Sequence, residues 1–360
     1  MAETWRVMDT GLRAAAQNIA LDRALLEARH AEEIPSTLRF CRFTPSVLLA
    51  SRHSVAHETA PDFCRIAGIE VQRRLTGGDP VYCDGAQLGW ALYLHQRDVG
   101  TPDMRAVARR ICHAVATALV ALGAHARYRA PNDTVVAGRR IGAAGGVFEG
   151  AALLYQGVLY FDLDVATVLS AMRTPGTGLA DHAVEAARAR MGDLKTVLAD
   201  VPAFARVRDR LVAAFESEFA IEFQEGDLSL TEHARYQRAL AETDTPGWID
   251  LVRGPASEVT VATAAHQHPA GVLHASVLYD RARHRIKQVW FTGEGKLLPA
   301  PALLDLEAAL HDTAAERLEH NVHAFFSGCA VDVPVLTAAD FIAVLRRALQ
   351  LPLSLVVPSS

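Results

Sequence analysis

Three short segments carry side chains whose types and spacing suit chemistry on an anionic ligand. The first is RRLTGGDPVY at residues 73–82. Adjacent glycines let a backbone approach a ligand closely and turn N–H donors toward a phosphate, and a neighbouring guanidinium adds charge-assisted hydrogen bonds. Taken alone, Gly77 and Gly78 also suit a plain hairpin turn. The second is APNDTVVAGRRIGAAGG at residues 130–146. Asn132 and Asp133 could offer oxygen ligands to magnesium or open an Asx-type turn, and the small residues after Arg139 and Arg140 could line a narrow acyl tunnel. The third, LLYQGVLYFDLD at residues 153–164, reads as a buried strand.

The elements that must hold these segments follow from hydrophobic periodicity. WRVMDT reads as a strand and residues 14–28 as a helix with Ile19, Leu21, Leu25 and Leu26 at helical spacing. LRFCRF and SVLLASR read as a strand pair turned at Thr44-Pro45, residues 61–67 as a short helix, and IEVQRRL and QLGWALYLH as strands. Residues 104–122 have unbroken helical spacing that stops at Gly123, and the β-branched, glycine-rich stretch behind them reads as strands and tight loops. Residues 165–240 read as helical and 243–255 as a linker. Three strand-like runs and helices at 301–311, 314–325 and 337–349 complete the chain. The expected fold class is α/β (α+β). A mixed sheet with flanking helices occupies residues 1–242, and a small α+β domain occupies 256–360.

Composition removes several function classes. Half of the residues are apolar, enough for a core in each of two domains. A net charge of −5 with 21% charged residues speaks against a nucleic-acid partner. No apolar run approaches the roughly 18 to 20 residues of a spanning helix, and MAETWRVMDTGLR lacks the apolar centre of an export signal, so a cytoplasmic protein without a membrane partner is expected. The five cysteines, at 41, 64, 83, 112 and 329, form no CxxC pair, which argues against a disulfide framework or a tetrathiolate zinc site. Of 36 basic residues other than histidine, only Lys195, Lys287 and Lys296 are lysine.

In their order and spacing the three segments resemble the lipoate–protein ligase family, within the biotin and lipoate ligase superfamily. Arg73, Arg74, Gly77, Gly78, Val81, Tyr82 and Asp84 match the family's Arg-Arg-x-x-Gly-Gly-Gly-Ala-Val-aromatic-His-Asp segment. Asn132 and Asp133 match its Asn-Asp, and Tyr155-Gln156-Gly157 stands where the family has His-His-Gly. CRFTPSVLLASRHS is similar to the upstream strand pair, and the segment 271–294 looks like the accessory domain of two-domain ligases. Two positions depart from the pattern. Arg140 replaces the lysine that touches both acyl carbonyl and phosphate, and Asp79-Pro80 replaces Gly-Ala.

The resemblance implies ATP-dependent attachment of lipoate, or a similar medium-chain acid, to a lysine of an acceptor lipoyl domain through an acyl-adenylate. The acceptor would be H-protein-like or an acyltransferase subunit, with ATP and Mg2+ as cofactors. It implies nucleotide binding by Arg74, Gly77, Gly78, Asp79, Pro80, Val81, Tyr82 and Arg140. Acyl binding falls to Arg140, Gly142, Ala144, Tyr155 and Gly157, metal binding to Asn132 and Asp133, and the catalytic role to Arg140. A planar fork is longer and wider than an ammonium group, so Arg140→Lys is expected to speed adenylation and Arg140→Ala to abolish it. One alternative is a lipoyl or octanoyl transferase that takes a preformed activated donor. Related transferases hold the acyl group on a cysteine at two places where this chain has none. The other alternative is a non-catalytic lipoyl-binding protein.

Overall fold

The computed structural model describes residues 3–50, 53, 55–172, 187–251, 259–268, 271–293, 300–328 and 336–350. The chain divides into two compact units, Met1–Ala256 and Ser257–Ser360. The first is built on two strands that are apolar on both faces, β6 (Gln87–His95) and β10 (Ala152–Tyr160). A strand of that kind must be covered on both sides, and these two pair at the middle of an eight-stranded sheet of order β11-β1-β2-β6-β10-β9-β8-β7. The others are β1 (Glu3–Arg13), β2 (Thr37–Phe43), β7 (Ala126–Arg129), β8 (Asp133–Val136), β9 (Arg139–Glu149) and β11 (Ile221–Glu225). β1 is parallel to both β11 and β2, and the remaining pairs are antiparallel, which makes the sheet mixed as expected.

Two helices cover one face. α3 (Met104–Val120) and α5 (Phe204–Phe219) bury Val107, Ile111, Val115 and Leu119, and Val207, Leu211 and Phe215, against Trp90, Leu92, Tyr155 and Leu159. The spacing of four keeps each set on one side of its helix. On the opposite face α1 (Ala15–His30) packs Leu25 and Leu26 on Ala91, Tyr93 and Leu154, and α6 (Leu230–Thr243) packs Tyr236 and Ala239 on α1. A three-stranded sheet shares that opposite face: β4 (Glu70–Arg73), β3 (Ser46–Leu49) and β5 (Val81–Cys83), in that order. Its Val47, Leu49 and Tyr82 meet Val158 and Tyr160 of β10, closed off by α2 (Pro61–Ile66) and α4 (Val165–Ala171).

Three local readings change. The strands on either side of Thr44-Pro45 do not pair, because β2 joins the large sheet while β3 joins the small one. The stretch read as wholly helical from 165 to 240 contains the edge strand β11. The segment expected as a linker begins at the last residue of α6. It continues through the short helix α7 (Pro246–Ile249), which is bonded to β4, and its residues 252–255 lie outside the described ones.

The second unit is an antiparallel meander, β12 (Val259–His268), β13 (Gly271–Asp280) and β14 (Arg285–Gly293), with the two-residue β15 (Thr313–Ala314) at its edge. Leu273, Ala275 and Val277 alternate inward on β13 and meet residues of α8 (Ala300–Ala309), α9 (Leu318–Gly328) and α10 (Ala338–Leu349). Strands and helices are segregated there, as the sequence pattern suggests. Among the described residues no helix is long and apolar enough to cross a membrane.

Candidate active site

β4 runs parallel to β3, and the chain then turns back through residues 74–80 into β5. Arg74 lies beneath this turn and is buried. Its Nη1 donates to the Leu48 carbonyl (2.6 Å), its Nη2 to the carbonyls of Gly77 (2.7 Å) and Asp79 (2.6 Å), and its Nε to the Thr76 hydroxyl (3.2 Å). Burial pulls its pKa down to about 10, against the opposing pull of Asp79. Above it Gly77 and Gly78 are exposed, and Gly78 has φ +92°, a left-handed conformation that favours glycine. Arg73 points elsewhere, to the carbonyls of Ala50, His53 and Ile249. Val81 and Pro80 are half-buried, whereas the Tyr82 ring is packed inside the small sheet.

The turn is fixed to the large sheet at two points. Gln156 Nε2 on β10 donates to Thr76 Oγ1 (2.9 Å). Gly145 on β9 lies so close that a Cβ there would stand 3.3 Å from the Gly77 carbonyl oxygen. In the sequence Gln156 stands out only within Tyr155-Gln156-Gly157 and Gly145 only within the small-residue run, and neither is assigned to the turn. Their signal is strand parity, since β9 and β10 pair Gly145 with Gln156, and directly paired residues share a face.

The same parity separates four expected acyl-binding residues from the turn. Gly142 pairs with Leu159, Ala144 with Gly157, and Gly146 with Tyr155. All lie on the face toward α3 and α5. Tyr155 is 1% exposed, stacked on Trp90 with its hydroxyl 3.5 Å from Cys112 Sγ, and a Cβ on Gly157 would collide with the Trp90 ring at 2.4 Å. The structure therefore does not bring Gly142, Ala144, Tyr155 and Gly157 to the glycine turn. Ala143, Gly145 and Val147, which alternate with them, lie on the opposite face of the sheet, where Gly145 approaches Gly77, Val147 and Leu154 join the core under α1, and Val158 meets the small sheet.

The third component is the β8–β9 hairpin, turned at Ala137 (φ 48°) and Gly138 (φ 81°). Arg140, 29% exposed at its side chain, places Nε 2.9 Å from Asp133 Oδ1. Asp133 is the first cause of the raised Arg140 pKa, with Tyr160 and Asp79 adding to it. Burial raises the Tyr160 hydroxyl, and Arg140 and Arg74 both oppose that shift. Arg74, Asp79, Arg140 and Tyr160 are therefore within electrostatic reach of one another around the exposed glycines.

Magnesium was expected at Asn132 and Asp133. The other Asp133 oxygen, Oδ2, is held by Arg129 through Nη2 (2.7 Å) and Nε (3.3 Å), so guanidinium groups occupy both carboxylate oxygens. The Asn132 amide nitrogen donates to the Ala144 carbonyl. A divalent cation would have to displace an arginine and sit beside two positive charges. These residues do not fit a resident metal ion, and among the described residues no group of three or more His, Cys, Asp or Glu could hold one.

Cys41, Cys64, Cys83 and Cys112 are all buried, and Cys329 lies outside the described residues. Burial pushes the Cys41 thiol up to about 11 and that of Cys112 to about 12, and it raises Cys64 and Cys83 as well. Nucleophilic cysteines show the opposite, a depressed pKa at a partly open site.

Comparison with known proteins identifies the family. The chain is 24% identical over 268 residues to octanoyltransferase LipM of Moorella thermoacetica, spanning 69% of this chain and 98% of the relative. It is 28% identical over 229 residues to lipoate-protein ligase A subunit 1 of Thermoplasma acidophilum, spanning 60% and 84%. Among solved structures, the bi-partite lipoate protein ligase of T. acidophilum superposes with a TM-score of 0.63 at 23% identity, over 70% of this chain and 99% of that one. A lipoate-protein ligase A bound with ATP gives 0.60 at 21% identity, over 70% and 100%. These structures share the fold of the first unit. Residues 14–216 match the lipoyl protein ligase A/B catalytic domain, and the chain belongs to that family.

Proposed function

We propose that the protein attaches lipoate, or a similar medium-chain acid, to a lysine of a lipoyl-domain acceptor, and that it activates the acid itself with ATP. A carboxylate is a poor acyl donor until one oxygen becomes part of a good leaving group. In the first half-reaction a lipoate oxygen attacks the α-phosphorus of ATP and pyrophosphate leaves. In the second the acceptor's lysine amine attacks the acyl carbonyl, AMP leaves with that oxygen, and the amine proton passes to solvent. Both steps develop negative charge on oxygen, so positioned N–H donors and cations dominate catalysis.

The observation that carries this reading is the partly open Arg140, within electrostatic reach of Asp79 in the turn that exposes Gly77 and Gly78. The two glycines offer backbone N–H groups and Arg140 a guanidinium edge to the phosphate shared by nucleotide and acyl group. Arg74 shapes the turn from below. Asp79 keeps its place in the turn as a negative group that limits the net positive charge. The acyl chain runs along Ala143, Gly145 and Val147, the small and apolar residues on the face of β9 toward the turn. No step is routed through a protein-bound metal; magnesium enters as the counter-ion of ATP.

The four raised thiols favour direct adenylation over transfer through a thioester. A second reading, octanoyl or lipoyl transfer from a preformed donor, draws on relatives named octanoyltransferase that align over 98% of their length. Pyrophosphate release separates the two. Purified protein given ATP, magnesium and lipoate should release pyrophosphate and, with a lipoyl domain added, modify one lysine. Acyl transfer from a supplied thioester without pyrophosphate release would favour the second reading.

A further inference from the structure

The sequence comparison treats Arg140 as a larger substitute for lysine, but its surroundings are arranged for a guanidinium. This head group has one Nε–H on its flank and two Nη groups at its end. Asp133 takes the flank, with Oδ1 at 2.9 Å from Nε. Among the described residues nothing accepts a hydrogen bond from the Nη groups, and the side chain is 29% exposed. Asp133 itself is 2% exposed and cannot swing freely, because Arg129 grips Oδ2 and also donates from Nη1 to the Gly138 carbonyl in the hairpin turn (3.1 Å). The bulge at Thr134/Val135 sets Arg140 opposite Val135, diagonal to Asp133 across β8 and β9.

We propose that Asp133 and Arg129 are positioning residues. Arg129 fixes the Asp133 carboxylate to the hairpin, and Asp133 holds Arg140 by its Nε flank so that both Nη groups face the glycine turn. This inference rests on the function proposed above and adds two residues to it. It also reverses one expectation. A lysine at position 140 has a single ammonium on a flexible stem, and an Asp133 carboxylate pinned by Arg129 would draw it away from the glycine turn. Arg140→Lys should therefore slow adenylation, and Asp133→Asn should release that lysine.

The test is single-turnover pyrophosphate release with ATP and lipoate by the full chain, read beside thermal stability. Arg129→Gln should lower kcat by about tenfold or more while KM for ATP and for lipoate stay within about threefold. Arg129→Lys should restore most of that loss. Arg140→Lys should fall below the parent, and the double variant Arg140→Lys with Asp133→Asn should recover above Arg140→Lys. A lysine variant as fast as the parent, or an Arg129→Gln variant that loses only stability, would overturn the assignment. If the parent releases no pyrophosphate, the proposed function is what fails, and calorimetry with a non-hydrolysable lipoyl-sulfamoyl-adenosine then decides. Weaker binding by Arg129→Gln and Arg140→Lys supports the positioning pair, and unchanged binding in both overturns it.

Discussion

Arg74 and Arg140 are the same residue type, were expected to do the same work on the phosphate, and are placed in opposite ways. Arg74 is buried, and it donates to three carbonyls and a hydroxyl of its own neighbourhood, so most of its donors are spent on shaping the turn. Arg140 is partly open, with one flank given to Asp133 and, among the described residues, no acceptor at its end. A guanidinium next to a phosphate-binding turn can thus be scaffold or contact, and the number of its donors already taken distinguishes the two. The contrast predicts different signatures when each is removed.

The largest effect should come from Arg74→Ala, which strands the carbonyls of Leu48, Gly77 and Asp79. At about 1 to 3 kcal/mol for each unsatisfied buried group, a loss of about 4 kcal/mol is expected. In a unit of this size that lowers Tm by about 8 to 16 °C. A variant with the parental Tm and weakened nucleotide binding would move Arg74 into the class of Arg140. Arg140→Ala should do the reverse. Pyrophosphate release should fall by about 100-fold or more, the effect of deleting one preorganised donor, while Tm moves by only a few degrees because Asp133 keeps Arg129. Loss of stability without loss of rate would erase the distinction.

Smaller effects sharpen the contrast between the two faces of β9. In Gly146→Ala the new Cβ would meet Tyr155 Cδ2 at 2.6 Å and Met104 Sδ at 2.9 Å, inside the core under α3. Overpacking of that kind costs about 1 to 3 kcal/mol, visible as a lower denaturation midpoint. Gly145→Ala meets only the Gly77 carbonyl, at 3.3 Å. It should leave the midpoint nearly unchanged and weaken binding of the acyl-adenylate analogue by calorimetry. Equal behaviour of the two variants would contradict the assignment of faces.

The smallest effect is an absence of reaction. Because burial raises the thiol pKa of Cys41 to about 11 and of Cys112 to about 12, the neutral form dominates until pH approaches those values. Native protein treated with iodoacetamide at pH 8 should leave both unmodified by peptide mass spectrometry, with rates rising about tenfold per pH unit above that. Rapid labelling at pH 8 would reopen the thioester route.

Much of the fold is legible in the sequence because its elements are long and strongly periodic: β6 coincides with QLGWALYLH, and the helices at 15–30 and 104–120 follow their apolar spacing. The parallel edge strand β11 is not, since five residues inside a helical stretch give too short a pattern. The glycine turn is found from its residue types, but its use of Arg74 depends on three-dimensional neighbours at Leu48 and Asp79. The face taken by the residues expected to bind the acyl chain is hidden for a simpler reason. Gly142, Ala144, Tyr155 and Gly157 are near one another in the sequence and share a face, but only the pairing of β9 with β10 and the identity of the covering helices show that this face lies toward α3 and α5 and not toward the glycine turn. Asp133 reads as a ligand until Arg129, four residues earlier, and Arg140, seven residues later, are seen to close on it.

The central claim is that this protein makes its own activated acyl group. Lipoate carrying heavy oxygen in its carboxylate tests it directly, in a reaction with ATP, magnesium and a lipoyl-domain acceptor followed by mass spectrometry. The account predicts one lipoyl group on one acceptor lysine, strictly dependent on ATP, with one heavy oxygen in the AMP released. Acceptor modified without ATP, or AMP without label, would contradict it.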